Sequence, residues 1–343
     1  MSLIKKPSQL EINPALSALV YGQAGVGKST LACSAPKAVL FDFDGGVNRI
    51  NGAHQIDTIQ VHSWEEALQG FDEVKSSSEY QSIVIDTVGK MLAFMEDFIK
   101  RNDSKKRKAD GSLSLQGYGV RKQMFINFIK EAAVCGKHVI FVAHEIEQKR
   151  NEETIIRPEV GGSSASDLLK ELDLVGYMEM SGKLRTISFD PCEKFYAKNS
   201  CDMQGVIQIP LLINDEGNPT EDNTFLVQVI NNYHRRLKKN KEMTAKYEAL
   251  CATIKEVASD IKNAEDANKF VEWIKATEHI YNSKAVALTA LQSKSKELGL
   301  VYDKVTKTYG DTAGLQNLPV PVRYVSNVAR LRKRGRATLE HSQ

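Results

Sequence analysis

Short, continuously apolar runs recur through the first half of the chain, at Leu19–Tyr21, Ala38–Phe43, Ser82–Ile85 and Lys137–Ala143. Runs of this length, bounded by glycine or polar residues, predict strands covered on both faces. Asp57–His62 is a shorter strand candidate. Between the runs the spacing turns helical. Ser63-Trp64-Glu65-Glu66 is a capping box that opens a helix to about Lys75. Further helices are predicted from Val88 to about Lys100 and from about Tyr118 to Cys135, with Gly136 as C-cap. Strand and helix in alternation predict an α/β fold whose mainly parallel sheet binds ligands at the carboxyl ends of its strands. From Glu145 the pattern changes. Glu147–Pro158 is polar, a hairpin or mobile loop, and a short helix is expected at Ser166–Glu171. Leu172–Met180 and Leu184–Phe189, around Ser181-Gly182, predict antiparallel additions, and Tyr196–Asn199 and Gly205–Leu212 close the core. Beyond Thr220 helical periodicity dominates, at about Thr224–Lys239, Lys241–Asn263, Asp266–Thr277 and Ser283–Leu298. The expected organisation is a core over 1–220, a helical appendage over 221–310 and a tail over 311–343 entered through Pro319 and Pro321.

One stretch between the first predicted strand and helix carries chemistry. Gly22-Gln23-Ala24-Gly25-Val26-Gly27-Lys28-Ser29-Thr30 has the spacing of a phosphate-binding loop in the context such a loop requires. Its glycines let the backbone turn and aim N–H groups at phosphate oxygens, and the following helix adds its positive end. Lys28 is placed to reach the β- and γ-phosphates of ATP, and the Ser29 hydroxyl to hold Mg²⁺. The run Ser82-Ile83-Val84-Ile85 ends in Asp86, the acid expected to bind the same Mg²⁺ through water. Two more polar residues arrive at that sheet edge: Asp44, after Asp42-Phe43, and His144, after the Lys137–Ala143 run.

Composition narrows the setting. The chain has 343 residues with 42% hydrophobic content, enough for one large domain or two ordinary ones. Its five cysteines are scattered without a C-x-x-C pair, which argues against a disulfide framework or zinc site and fits a reducing cytoplasm. The N-terminus lacks the apolar core of a signal peptide, and no uncharged run is long enough to cross a bilayer, so no membrane is expected. The net charge of +3 is uneven. Arg323, Arg330, Arg332, Lys333, Arg334 and Arg336 face only Glu340 in the last 23 residues, a basic segment suited to nucleic-acid phosphate. A second cluster lies between Lys100 and Lys108, where a solvated loop is the simpler explanation.

The order of these motifs resembles the RecA/RadA recombinase core, and within it the phage-encoded Sak-type single-strand annealing ATPases. The residues that carry the likeness are Gly22–Ser29, Asp42-x-Asp44-Gly45-Gly46, Asp86-Thr87, His144 and Lys198-Asn199 after a hairpin, and it covers about residues 15–212. The resemblance implies a RecA-like P-loop ATPase with a C-terminal helical region, acting with ATP and Mg²⁺ on single-stranded DNA. Asp44 falls where the family has the carboxylate that orients the attacking water, usually a longer Glu; alternatively it caps the Gly45-Gly46 turn. His144 takes the place of the γ-phosphate sensor, or is a buried histidine satisfied by backbone. Lys198 resembles the lysine inserted into a neighbouring subunit's nucleotide site, with Arg185 and Lys194 as substitutes. Glu145–Ser166, with Lys149, Arg150 and Arg157, becomes the candidate DNA loop. Implied partners are single-stranded DNA, further copies in a ring or filament, and a single-strand-binding protein, in a bacterial cytoplasm if the chain is phage-encoded. A ring helicase and a nucleotide-gated assembly module share this core and are the competing functions.

Overall fold

A computed structural model describes residues 3–150, 153–162 and 164–311; the basic tail expected to contact nucleic acid lies outside them. The chain divides into two units of contact, Met1–Glu242 and Met243–Gln343. The boundary expected near 220 falls in the loop before helix α6, whereas the units divide inside that helix.

In chain order the first unit contains β1 (Ser17–Gly22), α1 (Lys28–Ala32), β2 (Ala38–Asp42), β3 (Thr58–Gln60), α2 (Trp64–Ser76), β4 (Ser82–Asp86), α3 (Val88–Asn102), α4 (Leu115–Val134), β5 (His138–Arg150) and β6 (Glu153–Pro158). It continues with α5 (Ser164–Glu171), β7 (Leu174–Ser181), β8 (Leu184–Ser188), β9 (Lys198–Asn199), β10 (Val206–Ile209) and the first part of α6 (Phe225–Ser259). One mixed sheet organises it, in the order β10-β8-β7-β1-β5-β4-β2-β3. The six strands from β7 to β3 are parallel, and β8, β10, β6 and β9 are added antiparallel. β7, expected within the antiparallel addition, pairs parallel to β1 and antiparallel to β8, so the switch of direction comes one strand later.

The period of two along each strand explains both the apolar runs and the layers. Leu19 and Tyr21 of β1, Val39 and Phe41 of β2, Ile83 and Ile85 of β4, and Val139 and Phe141 of β5 point into a core with Phe71, Met91 and Phe125 from α2, α3 and α4. Their alternates Ala18, Val20, Leu40, Val84, Ile140 and Val142 point to the other face, against Leu31 of α1 and Leu226 and Ile230 of α6. Each strand must therefore be apolar at every position. At the end of α2's approach, Ser63 Oγ accepts the Glu66 N–H at 3.1 Å as expected, while Glu66 returns its carboxylate to the His62 N–H at 2.8 Å, one residue earlier than a capping box would place it.

The second unit holds the remainder of α6 with α7 (Ala264–Ala276), α8 (Ser283–Glu297) and a two-stranded hairpin, β11 (Leu300–Asp303) and β12 (Thr308–Asp311). Its core gathers Ile254, Ile261, Phe270, Ile274, Ala287 and Leu291. Two features differ from expectation. α6 is one helix of 35 residues where two were expected, and the hairpin falls where the helical appendage was expected to continue to about 310. No helix among the described residues is long and apolar enough to cross a membrane.

Candidate active site

The carboxyl ends of β1, β2 and β4 and the middle of β5 converge on one cleft of about 300 Å³. Ala24, Gly25, Gly27, Lys28, Ser29 and Thr30 form its floor. Gly25 and Gly27 have φ of 78° and 99°, in the left-handed region that side chains avoid, and the chain uses them to wrap the loop before entering α1. The remaining three loop residues act from behind. Gly22 lies flat against the Met178 carbonyl of β7, Val26 is buried, and Gln23 supplies its carbonyl to Lys28 Nζ at 2.6 Å.

Lys28 is 5% exposed, and burial lowers its pKa against the opposing pull of Asp86 and Glu145. Asp86, at the end of β4, shows the converse. Burial raises its pKa, Asp42 and Asp44 add to the rise, and a hydrogen bond from the Ser29 hydroxyl together with Lys28 offsets part of it. A buried carboxylate among like charges and bonded to a hydroxyl is a hard-oxygen environment short of positive charge, and this donor pair fits Mg²⁺, which keeps several waters and takes few protein oxygens. The peptide bond from Asp86 to Thr87 is cis.

Asp42 and Asp44 divide two tasks. Asp42, 3% exposed and level with Asp86 in the ladder, accepts the N–H groups of Gly46 and Val47 at 2.9 and 3.0 Å. The turn is thus capped by Asp42, and Asp44 lines the cleft. Two cations hold Asp44 there, Arg49 at 3.5 Å and Lys90 at 3.7 Å. His144, level with Gly22 across β1–β5, is half-buried and lines the same cleft.

Lys198 stands elsewhere. Its Nζ donates to the Leu169 and Lys170 carbonyls at 3.3 Å each, where α5 ends, so it satisfies a helix terminus away from its own chain's cleft. Arg185, considered beside it for a neighbour's site, instead enters the cleft of its own chain. β8 pairs with β7, which lies beside β1, and this brings Arg185 Nε to 3.1 Å from the Val26 carbonyl. Arg49 and Lys90 were not foreseen, and Glu145 was foreseen only as the start of the candidate DNA loop. Glu145 follows His144, bonds to Tyr177 and leaves Oε2 buried without a partner. Lys90, on the first turn after Asp86-Thr87, was the one with a sequence signal, since that turn faces the strand ends. The Lys100–Lys108 cluster is partly paired outside the cleft, Lys100 with Asp97 and Arg101 with Glu65, both at 3.0 Å.

A glycine loop between the central strand and its helix, a buried lysine inside it and an acid on the next strand but one define a P-loop nucleotide-binding ATPase. The sequence agrees. Residues 15–201 match the AAA domain family, more than half of the chain, and the chain belongs to that family. A search among curated proteins finds no match.

Proposed function

We propose that the chain hydrolyses ATP and uses the cycle to act on single-stranded DNA in annealing or recombination, as a phage-type RecA-like protein of the cytoplasm assembled from several copies. One observation carries this reading: β5 belongs to two places. Its inner half is core, His144 lines the nucleotide cleft, and the same strand runs on through the exposed Lys149 into the hairpin with β6. A group beside the terminal phosphate and a solvent-facing hairpin that carries Lys149 therefore share one hydrogen-bonded ribbon. A cleft of about 850 Å³ beside the hairpin presents Arg157, Lys170 and Lys198 with Tyr196, alongside the single acid Glu147, a chemistry suited to phosphate and base. The tail supplies further cations for the same polyanion.

In this reading Gly22–Thr30 cradle the triphosphate and Lys28 and Arg185 meet its charge. The Ser29 hydroxyl, and Asp86 through water, would hold Mg²⁺, which would supply positive charge against the phosphoryl oxygens. Asp44 accepts a hydrogen bond from the attacking water and aims it at the γ-phosphate, and His144 donates to that phosphate. Asp44→Asn keeps the shape and removes the acceptor charge. Its kcat is expected to fall by about 100-fold or more with nucleotide affinity within a few-fold of the parent, read by steady-state hydrolysis and equilibrium binding. An unchanged kcat would remove Asp44 from the water's path.

The reading as a whole is tested by hydrolysis with and without single-stranded oligonucleotide, paired with annealing of complementary strands. Stimulation together with ATP-dependent annealing is expected. Duplex unwinding by the purified protein points to a helicase. Hydrolysis indifferent to DNA, with assembly dependent on nucleotide, points to an assembly module, which the ion-paired, short Asp44 also suits.

A further inference from the structure

Phosphates running along the loop from Asp44 and His144 toward Thr30 leave the nucleoside to continue past Thr30. A second cleft, of about 390 Å³, opens there and shares Gly27, Thr30 and Arg185 with the first. This volume lies within the range of small-molecule clefts, roughly 300–1,000 Å³. Its walls are largely apolar. Leu31 of α1 and Met178 and Met180 of β7 face Leu211 and Ile213 from the segment after β10. Met180 and Leu211 are 50% and 45% exposed and so offer apolar surface at the mouth of the cleft.

Several of the polar groups around it are already engaged. Lys183 pairs with Asp215 at 2.6 Å. Asn214 Oδ1 accepts the N–H groups of Glu216 and Asn218 at 3.1 and 2.8 Å. The Leu211 carbonyl accepts the Thr220 hydroxyl, and the Leu212 carbonyl accepts the Thr220 N–H at 2.9 Å and faces His54 Nε2 at 3.3 Å. The Asn214 side-chain oxygen and the Leu211 and Leu212 carbonyls are thus spent, largely inside the 211–220 segment. The largest surface offered to a base is the apolar wall, which meets its two faces.

We propose that this cleft holds the ribose and base of the nucleotide by apolar contact with Met180 and Leu211, and that the site therefore discriminates weakly between bases. This rests on the reading of Gly22–Thr30 as a triphosphate cradle. A site built to hydrogen-bond its substrate rejects a mismatch by about 10⁴–10⁵, whereas apolar walls give roughly 10–200-fold. Thioether side chains suit such tolerance, being polarizable and able to adapt to rings of different outline.

The test measures dissociation constants by calorimetry, with magnesium present, for ATP, GTP, CTP and inorganic tripolyphosphate. The parent protein should bind the three nucleotides within about tenfold of one another and tripolyphosphate more weakly. Met180→Ala and Leu211→Ala, both half-exposed and so of little consequence for folding, should each weaken the nucleotides several-fold and leave tripolyphosphate unchanged. A preference for ATP over GTP beyond about 200-fold overturns apolar recognition. So does an unchanged ATP affinity in both variants, while the phosphate cradle stands. Loss of tripolyphosphate binding equal to that of ATP in the variants also overturns it, because the cleft would then act through the loop. If the parent binds neither nucleotide nor tripolyphosphate, the cradle itself is overturned and the base cleft with it.

Discussion

Lys28→Ala removes nucleotide turnover while leaving the protein folded. Lys28 is the one cation buried inside the loop, and its amine rests on the Gln23 carbonyl, poised to exchange that partner for phosphate oxygens. Removing one such preorganised charge costs about 10²–10³ in rate in water-excluded sites, so hydrolysis should drop by at least about 100-fold. Stability should not follow. Burial disfavours the charged form of this lysine, so the folded state already bears a cost to keep it in place, and alanine relieves that cost even as Asp86 loses a neighbour. The variant should melt close to the parent in calorimetry. Parental turnover in a well-folded variant would sink the assignment of the cradle.

Gly22→Ala should do the opposite, harming the fold first. A Cβ at Gly22 would fall inside the contact distance of the Met178 carbonyl oxygen, with Met178 C only 3.1 Å away, and both atoms are backbone of a strand paired to β1 on that side. No side chain can rotate aside. β1 and β7 would have to part where the sheet is buried on both faces, a forced overpacking worth about 3 kcal/mol. The apparent melting temperature should fall by roughly 6–12 °C for a unit of this size, with nucleotide affinity lost alongside. A variant as stable as the parent would mean that the two strands are not in this register.

These expectations depend on features that differ in how far the sequence reveals them. The glycine loop is legible because its backbone needs, the strand before it and the helix after it are all local. The strands of the core are legible because burial on both faces leaves no polar position to confuse with a helix. Asp42 and Asp44 are a harder case. Asp42 ends β2 and Asp44 follows two residues on, and only the Gly46 and Val47 amides decide which acid is used up in the turn and which faces the cleft. Arg185 was visible as a cation in a hairpin, but its destination depends on β7 running beside β1, a pairing across more than 150 residues. α6 was divided in two because Lys238-Lys239-Asn240-Lys241 breaks the apolar period, although helix propensity carries the backbone through. The β11–β12 hairpin was missed because Leu300–Asp311 is short and lacks an Asn-Gly type turn.

The two ends of the large sheet bear on the proposed assembly from several copies. β3 has three residues and β10 four, so each border offers only a few unpaired amides and carbonyls to a neighbour. Edges that brief are poor templates for strand addition. In the proposed assembly, these two borders would favour contacts made by side chains on helices and loops over extension of one continuous ladder.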